Sequence, residues 1–320
     1  MFSYDKDILI KDLNLWLDSR RVRPFAFASH AHSDHFARHQ KILCSPPTAD
    51  LLRLRLKGVK YQTLAFGKSL HLNGSIVSLH PAGHILGSAQ IKIESQQGTL
   101  LYTGDFRTGA SGTSENMEIV HADILIMETT FGRPHYRMPP RSESEQYLIY
   151  TCSRLLEQGR IPLIFAYSLG KGQEILKILG DAGLPVAADY QILKYIPVYR
   201  KFGVNFGKFR KFKRSDLQPG VILLPTSMRY QRFVHDIPGV YTIYVSGWAV
   251  DANARYRFNV DEAIAISDHA DFNELLHFAE QVQPREIYCT HGFKEFISVL
   301  CNKGFRAYPL EKNVQLQLGF

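Results

Sequence analysis

Residues 29 to 35 read Ser-His-Ala-His-Ser-Asp-His, so His30, His32, Asp34 and His35 place three imidazoles and one carboxylate within six positions. In an extended segment, residues two apart point the same way, so His30 and His32 can face one metal ion. The Ser33-Asp34-His35 step must then turn back, which sends Asp34 and His35 toward a second position close by. Nitrogen and oxygen donors of this kind suit zinc, with manganese as the alternative. Two such ions ~3.5–4 Å apart suit cleavage of a phosphodiester. The plain alternative is a solvated polar loop. Four ligand-type side chains in so short a stretch argue against it.

The elements that must position these groups can be read around them. The apolar run from Pro24 to Ala28 reads as a short buried strand leading into the cluster. Residues Ala49 to Lys57 read as a helix with Thr48 as its cap. A strand over Ser75 to Leu79 runs into Pro81-Ala82-Gly83-His84. Gln90 to Glu94 and Thr99 to Thr103 alternate around Gln96-Gln97-Gly98, a hairpin pattern whose second arm ends in Gly104-Asp105. Ile124 to Met127 forms a further short strand that ends at Glu128. His84, Asp105 and Glu128 thus lie at successive strand ends, where a rigid scaffold presents functional groups. Near the end of the chain, a strand over Ala263 to Ser267 leads to Asp268-His269 and a helix from Asp271. Another over Glu286 to Cys289 leads to Thr290-His291.

Between these regions the pattern changes. From Arg141 a helix (Ser142 to Gln158), a strand (Ile161 to Tyr167) and a second helix (Lys171 to Leu179) alternate, which predicts a small parallel α/β unit. The division expected is residues 1–140, an inserted unit over 141–250, and a return over 251–320. Within the insertion, residues 194 to 214 carry eight basic side chains and no acidic one, with six aromatics interleaved. Lys208, Arg210, Lys211 and Lys213 suit contacts to phosphates. The aromatics (Tyr195, Tyr199, Phe202, Phe206, Phe209 and Phe212) fit a core more readily than a stacking platform.

Composition sets the outer limits. At 320 residues, 45% hydrophobic and 21% charged, the chain suits two soluble globular domains. No apolar run approaches the ~20 residues of a membrane span, and the first residues lack the pattern of a signal peptide, so a cytoplasmic protein is expected. The cysteines, Cys44, Cys152, Cys289 and Cys301, are scattered and read as reduced core thiols. A net charge of +8 favours a polyanionic partner.

His30-Ala31-His32-Ser33-Asp34-His35 resembles the His-x-His-x-Asp-His signature of the metallo-β-lactamase superfamily. Pro81-Ala82-Gly83-His84 is similar to that family's third motif, and Thr103-Gly104-Asp105 to its fourth. The resemblance narrows to the β-CASP nuclease branch: Glu128-Thr129-Thr130-Phe131-Gly132 is similar to motif A, Ser267-Asp268-His269-Ala270-Asp271 to motif B, and His291-Gly292 to motif C. Phe293 stands where the family often has Glu. The helix start Gly170-Lys171-Gly172-Gln173-Glu174 is similar to one in β-CASP caps, which makes Ser168 and Lys171 candidate phosphate contacts.

The resemblance implies an αββα sandwich with an inserted β-CASP α/β cap. It implies His30, His32 and His84 on one metal, Asp34, His35 and His291 on the other, and Asp105 bridging. It further implies a metal-bridging hydroxide as nucleophile, with His269 as general acid. Glu128 would orient that histidine and favour its protonated form. The compact two-domain architecture most resembles the bacterial ligase-associated DNA exonuclease group. That likeness implies DNA ends as substrate and, as partners, a ligase and a helicase of a repair cluster. The motif C histidine pulls instead toward RNA processing of the ribonuclease J or pre-mRNA 3′-end cleavage type. DNA is favoured over RNA. A small-molecule metallo-hydrolase is opposed by the cap, His269 and the basic segment, and a binding protein with a dead site by the complete ligand set.

Overall fold

A computed structural model describes residues 1–215 and 219–311. The described residues divide into two compact units, 1–110, 114–135 and 269–311 forming the first and 111–113 and 136–268 the second.

In the first unit a six-stranded sheet runs in chain order from Phe2–Tyr4 to Lys60–Thr63. Facing it is a seven-stranded sheet, ordered Ala307–Pro309, Glu286–Thr290, Ile124–Glu128, Gly98–Tyr102, Ala89–Ser95, Ser75–Pro81 and Ser69–Leu72. The period-two alternation of strand side chains explains how the second sheet is covered on both faces. Leu100, Tyr102, Ile124 and Ile126 point into a core shared with Ile10, Leu15, Phe27 and Leu43 of the first sheet. Their neighbours Leu101, Leu125 and Met127 point the other way, onto Phe272, Leu275 and Phe278 of the helix Phe272–Val282 and Phe296 and Leu300 of the helix Glu295–Asn302. Each fully buried Leu or Ile in these layers contributes ~1.5–3 kcal/mol against leaving it in water.

The hairpin forms as Ala89–Ser95 against Gly98–Tyr102, antiparallel. The first helix spans Pro46–Arg53 rather than Ala49 to Lys57. Ser45 caps it, its Oγ accepting from the Thr48 N–H at 3.3 Å, and proline is tolerated in the first turn, where the missing N–H has no partner to lose. Thr48 instead donates its hydroxyl to the Gly87 carbonyl at 2.8 Å.

The second unit is a six-stranded sheet whose pairings are all parallel, ordered Phe209–Lys211, Val186–Ala188, Val221–Pro225, Ile161–Ala166, Val240–Val245 and Glu262–Ile264. The helices Arg141–Glu157 and Lys171–Asp181 supply Leu148, Leu155, Ile175 and Leu179 to one face, against Ile164, Leu223 and Ile243. Leu163, Phe165, Leu224 and Tyr244 pack with Met228, Val234 and Ile237 on the other. Sequence reading placed the return to the first unit near residue 251. The contacts place it at His269, because Glu262–Ile264 hydrogen-bonds as the edge strand beside Val240–Val245. The fold class is α/β: a two-sheet metallo-β-lactamase sandwich flanked by helices, with an inserted parallel α/β domain.

Candidate metal centre

The groups that could bind metal all belong to the first unit and lie at or just beyond strand ends. His30 follows Phe25–Phe27, His84 follows Ser75–Pro81, and Asp105 follows Gly98–Tyr102. Two glycines permit the loops to close. At Gly83, with φ +77°, a Cβ would sit 2.2 Å from the Arg107 carbonyl oxygen. At Gly104, with φ +57°, it would sit 2.5 Å from the Ser29 side chain, so only glycine lets the Asp105 loop reach the residue beside His30.

His30, His32, His84 and Asp105 bring one ligand atom each to within 4.8 Å of one another. His84 Nε2 lies 3.1 Å from His32 Nδ1, and Asp105 Oδ2 lies 3.7 Å from His30 Nε2 and 3.9 Å from His84 Nε2. The same Asp105 oxygen is 3.2 Å from His35 Nε2, which is itself 3.8 Å from Asp34 Oδ2. Asp105 therefore stands between the two groups of donors. Asp34 is 66% exposed, and the His291 ring, on an exposed residue with φ +51°, is centred 5.6 Å from that of His35.

The buried Nε2 of His30 makes no hydrogen bond among the described residues. A buried polar atom left without a partner costs about 1–3 kcal/mol unless something else engages it. Four imidazoles and a shared carboxylate turned inward fit divalent cations bound through nitrogen and oxygen, zinc first among them.

Electrostatics separate the histidines. Burial holds His30 well below its ordinary pKa, and the neighbouring His35, His84 and His32 push the same way. Burial also opposes charge on His35, but Asp105 and Asp18 outweigh it and raise that imidazole well above its usual value. For Asp105, burial favours the neutral acid, yet His35, His269 and His30 hold the carboxyl well below the usual range.

Asp18 belongs to the site by its contacts, and sequence reading missed it. Its Oδ2 lies 2.8 Å from His35 Nδ1 and accepts from the Tyr102 hydroxyl at 2.9 Å and the Ser29 hydroxyl at 2.6 Å, while Oδ1 accepts from the Ser29 N–H at 2.7 Å. A carboxylate on Nδ1 fixes the tautomer that leaves Nε2 as the donor to a metal. The one available signal was an Asp directly after the strand Leu15–Leu17.

Glu128 and His269 meet beside the cluster. His269 Nδ1 lies 2.8 and 3.0 Å from the two carboxylate oxygens of Glu128. Glu128 is buried and is fixed by the Phe106 N–H at 2.8 Å and by the Thr130 hydroxyl. The His269 side chain is 21% exposed, and its ring is centred 4.6 Å from that of His84. Asp271 caps the following helix in a capping box with Glu274, so His269 enters from a rigid corner.

The candidate nucleic-acid contacts lie in the second unit. Lys208, Lys211 and Lys213 are exposed and Arg210 is half-buried, whereas Tyr195, Tyr199 and Phe212 belong to the core. Ser168 is half-buried, with its carbonyl accepting from the Gln173 amide. Lys171 is 1% exposed, and its ammonium is held 2.7 Å from Glu174 and 3.7 Å from Asp268. An ammonium enclosed by two carboxylates is not presented to a phosphate, so in this structure Lys171 ties the unit together.

A buried histidine–carboxylate cluster at the strand ends of a two-sheet sandwich defines a metallo-hydrolase. Comparison with known proteins agrees. A family model described as a Zn-dependent metallo-hydrolase RNA specificity domain matches residues 256–314. An RNase J-like protein of Methanocaldococcus jannaschii is 32% identical over 82% of this chain and 80% of its own length. A protein of Opitutus terrae named "Probable DNA ligase" is 41% identical over 99% of this chain, which spans 32% of that protein. The human DNA cross-link repair 1A protein is 24% identical over 89% of this chain and 30% of its own length. The chain belongs to the β-CASP nuclease family of metallo-β-lactamase-fold hydrolases.

Proposed function

We propose that this protein is a two-metal nuclease that hydrolyses DNA at its ends during repair, working in the cytoplasm with a ligase and a helicase. The observation that carries the chemistry is Asp105 Oδ2 standing within 3.9 Å of His30, His84 and His35. His30, His32 and His84 would hold one cation and Asp34, His35 and His291 the other. Bound there, zinc or manganese supplies Lewis acidity toward the phosphoryl oxygens and an activated water.

The protein's own groups supply the rest. Asp105 is held ionised between the two donor sets. Asp18 keeps the proton of His35 on Nδ1, so that Nε2 faces inward. His269 carries a proton on Nε2 that can pass to the departing oxygen, while Glu128 on Nδ1 stabilises the imidazolium and aims the ring. Nothing in this arrangement requires a side-chain nucleophile.

The preference for DNA is supported by likeness, over nearly the full chain, to a segment of the protein named "Probable DNA ligase". An end-trimming activity suits a polypeptide that joins ends. A ligase partner draws on the same relative, and a helicase on the resemblance of the motifs alone. RNA cleavage is the second reading, favoured by the description of the family model over 256–314 and by the RNase J-like relative.

The test uses metal-loaded protein with matched DNA and RNA oligonucleotides, single- and double-stranded, labelled at either end. Stepwise loss of nucleotides from one end of DNA, with RNA intact, is the expected result. Internal cuts in RNA alone would replace the DNA assignment with the second reading. No cleavage of either would remove the nuclease assignment.

A further inference from the structure

The second unit's parallel sheet gathers exposed aromatics at one edge. Ligands of open parallel α/β sheets bind outside the carboxyl ends of the strands, and here three neighbouring strands each lead into an exposed tyrosine. Val186–Ala188 leads to Tyr190, Val221–Pro225 to Tyr230 and Ile161–Ala166 to Tyr167. These residues are 59%, 71% and 52% exposed, in a protein whose other aromatics mostly line its cores.

Cations accompany the rings. Lys211, at the carboxyl end of the adjoining strand Phe209–Lys211, places its ammonium 5.2 Å from the centre of the Tyr190 ring. Arg229 lies 4.6 Å from that of Tyr230 and 5.3 Å from that of Tyr244. The loops are braced as well as adjacent. Buried Gln173 donates from its amide to the Ser168 carbonyl at 2.9 Å and to the Ile192 carbonyl at 2.8 Å, tying the Tyr167 loop to the short helix Tyr190–Leu193.

We infer that this edge is a stacking rail for the unpaired bases of a single-stranded nucleic acid, with Tyr167, Tyr190 and Tyr230 taking base faces and Lys211 and Arg229 taking phosphates. Adjacent strands in a sheet are about 4.8 Å apart, so the ends of three neighbouring strands lie within the reach of a few nucleotides. Aromatic faces accept any base, so the rail selects for unpaired strand and is indifferent to sequence and to the sugar. Paired bases have their faces covered and gain nothing from it. The inference rests on the nucleic-acid reading above and adds the form of the substrate.

The experiment measures binding by fluorescence anisotropy in the absence of added metal. It uses a labelled oligothymidylate, an oligouridylate and an abasic DNA strand of equal length. Wild-type protein is expected to bind both base-bearing strands more tightly than the abasic one. Tyr167→Ala, Tyr190→Ala and Tyr230→Ala should each weaken that binding about 5- to 20-fold, with the abasic strand unaffected and the phenylalanine variants close to wild type. Equal affinity for base-bearing and abasic strands would overturn the rail, as would alanine variants that bind like wild type. Hydrolysis of bis(p-nitrophenyl) phosphate, which has no base to stack, separates the two readings. Its absence in metal-loaded wild type would sink the nuclease assignment, while base-dependent binding lost in the alanine variants would still support the rail.

Discussion

Asp18→Asn tests how His35 is positioned as a ligand of the proposed second metal ion. The substitution keeps the shape of the side chain and removes its charge and one acceptor. Wild-type Asp18 meets four groups: the Ser29 N–H and hydroxyl, the Tyr102 hydroxyl and His35 Nδ1. The amide nitrogen of Asn must face part of that set, donor against donor. Loss of such an outer carboxylate on a metal-bound histidine costs about 10- to 100-fold in metal affinity, or ~1.4–2.8 kcal/mol. A second effect opposes it. Asp105 and, after it, Asp18 raise the pKa of His35 against the effect of burial, so a proton competes with metal for this histidine in the wild type. Wild-type affinity should therefore climb with pH until His35 is neutral and then level off. In the variant the competition is weaker, so the defect is largest above the raised pKa and shrinks as pH falls. Titration with zinc against a competing chelator at pH 6, 7.5 and 9 would show this. Affinity within twofold of wild type at all three pH values, or a defect that deepens toward pH 6, would refute the positioning role.

Four further outcomes follow from the same geometry. Asp105→Ala should abolish cleavage and lower the metal bound per chain, because Asp105 borders both donor sets; retained activity would exclude a shared ligand. His269→Ala should cut turnover about 10²- to 10⁴-fold while metal content stays near wild type, and unchanged turnover would end its acid role. Neutralising Lys208, Arg210, Lys211 and Lys213 together should lower the log–log salt slope of single-strand binding by up to about 3, whereas an unaltered slope would return these residues to a solvated face. Burial pushes the thiols of Cys44, Cys152 and Cys289 up to about 12, while Cys301 is exposed. Brief iodoacetamide treatment at pH 8 should therefore add one adduct to the native chain and four after unfolding. A second adduct before unfolding would show that the core thiols are reachable.

The candidate ligands were legible because their grouping is local. His30, His32, Asp34 and His35 lie so close along the chain that few backbone courses could separate them, and the apolar run before them marks the strand that carries them. His84 and Asp105 stand behind glycines whose positive φ shows in the sequence as Pro81-Ala82-Gly83 and Gly104. The hairpin and the helix–strand alternation of the insertion were equally plain, since each depends on periodicity over a dozen residues. Boundaries were less plain. The cap of the first helix moved to Ser45, and Glu262–Ile264 joined the inserted sheet, because strand pairing partners are chosen by packing rather than by the strand's own pattern.

By itself, then, the sequence supplied the candidate donor residues and the excess of positive charge, which depend on residue type and short spacing, and the likeness of its motifs implied the fold class. The tertiary structure decided which of those groups have partners. Asp18 reaches His35 across 17 positions, and Glu128 reaches His269 across 141. Lys171, basic and near a helix start, is enclosed by Glu174 and Asp268 and taken out of contact with solvent. Tyr167, Tyr190 and Tyr230 fall along one edge only because three strands distant in sequence are neighbours in a sheet. Burial, ionisation and hydrogen-bond partnership are set by what the folded chain brings close, and that information is spread over the whole chain.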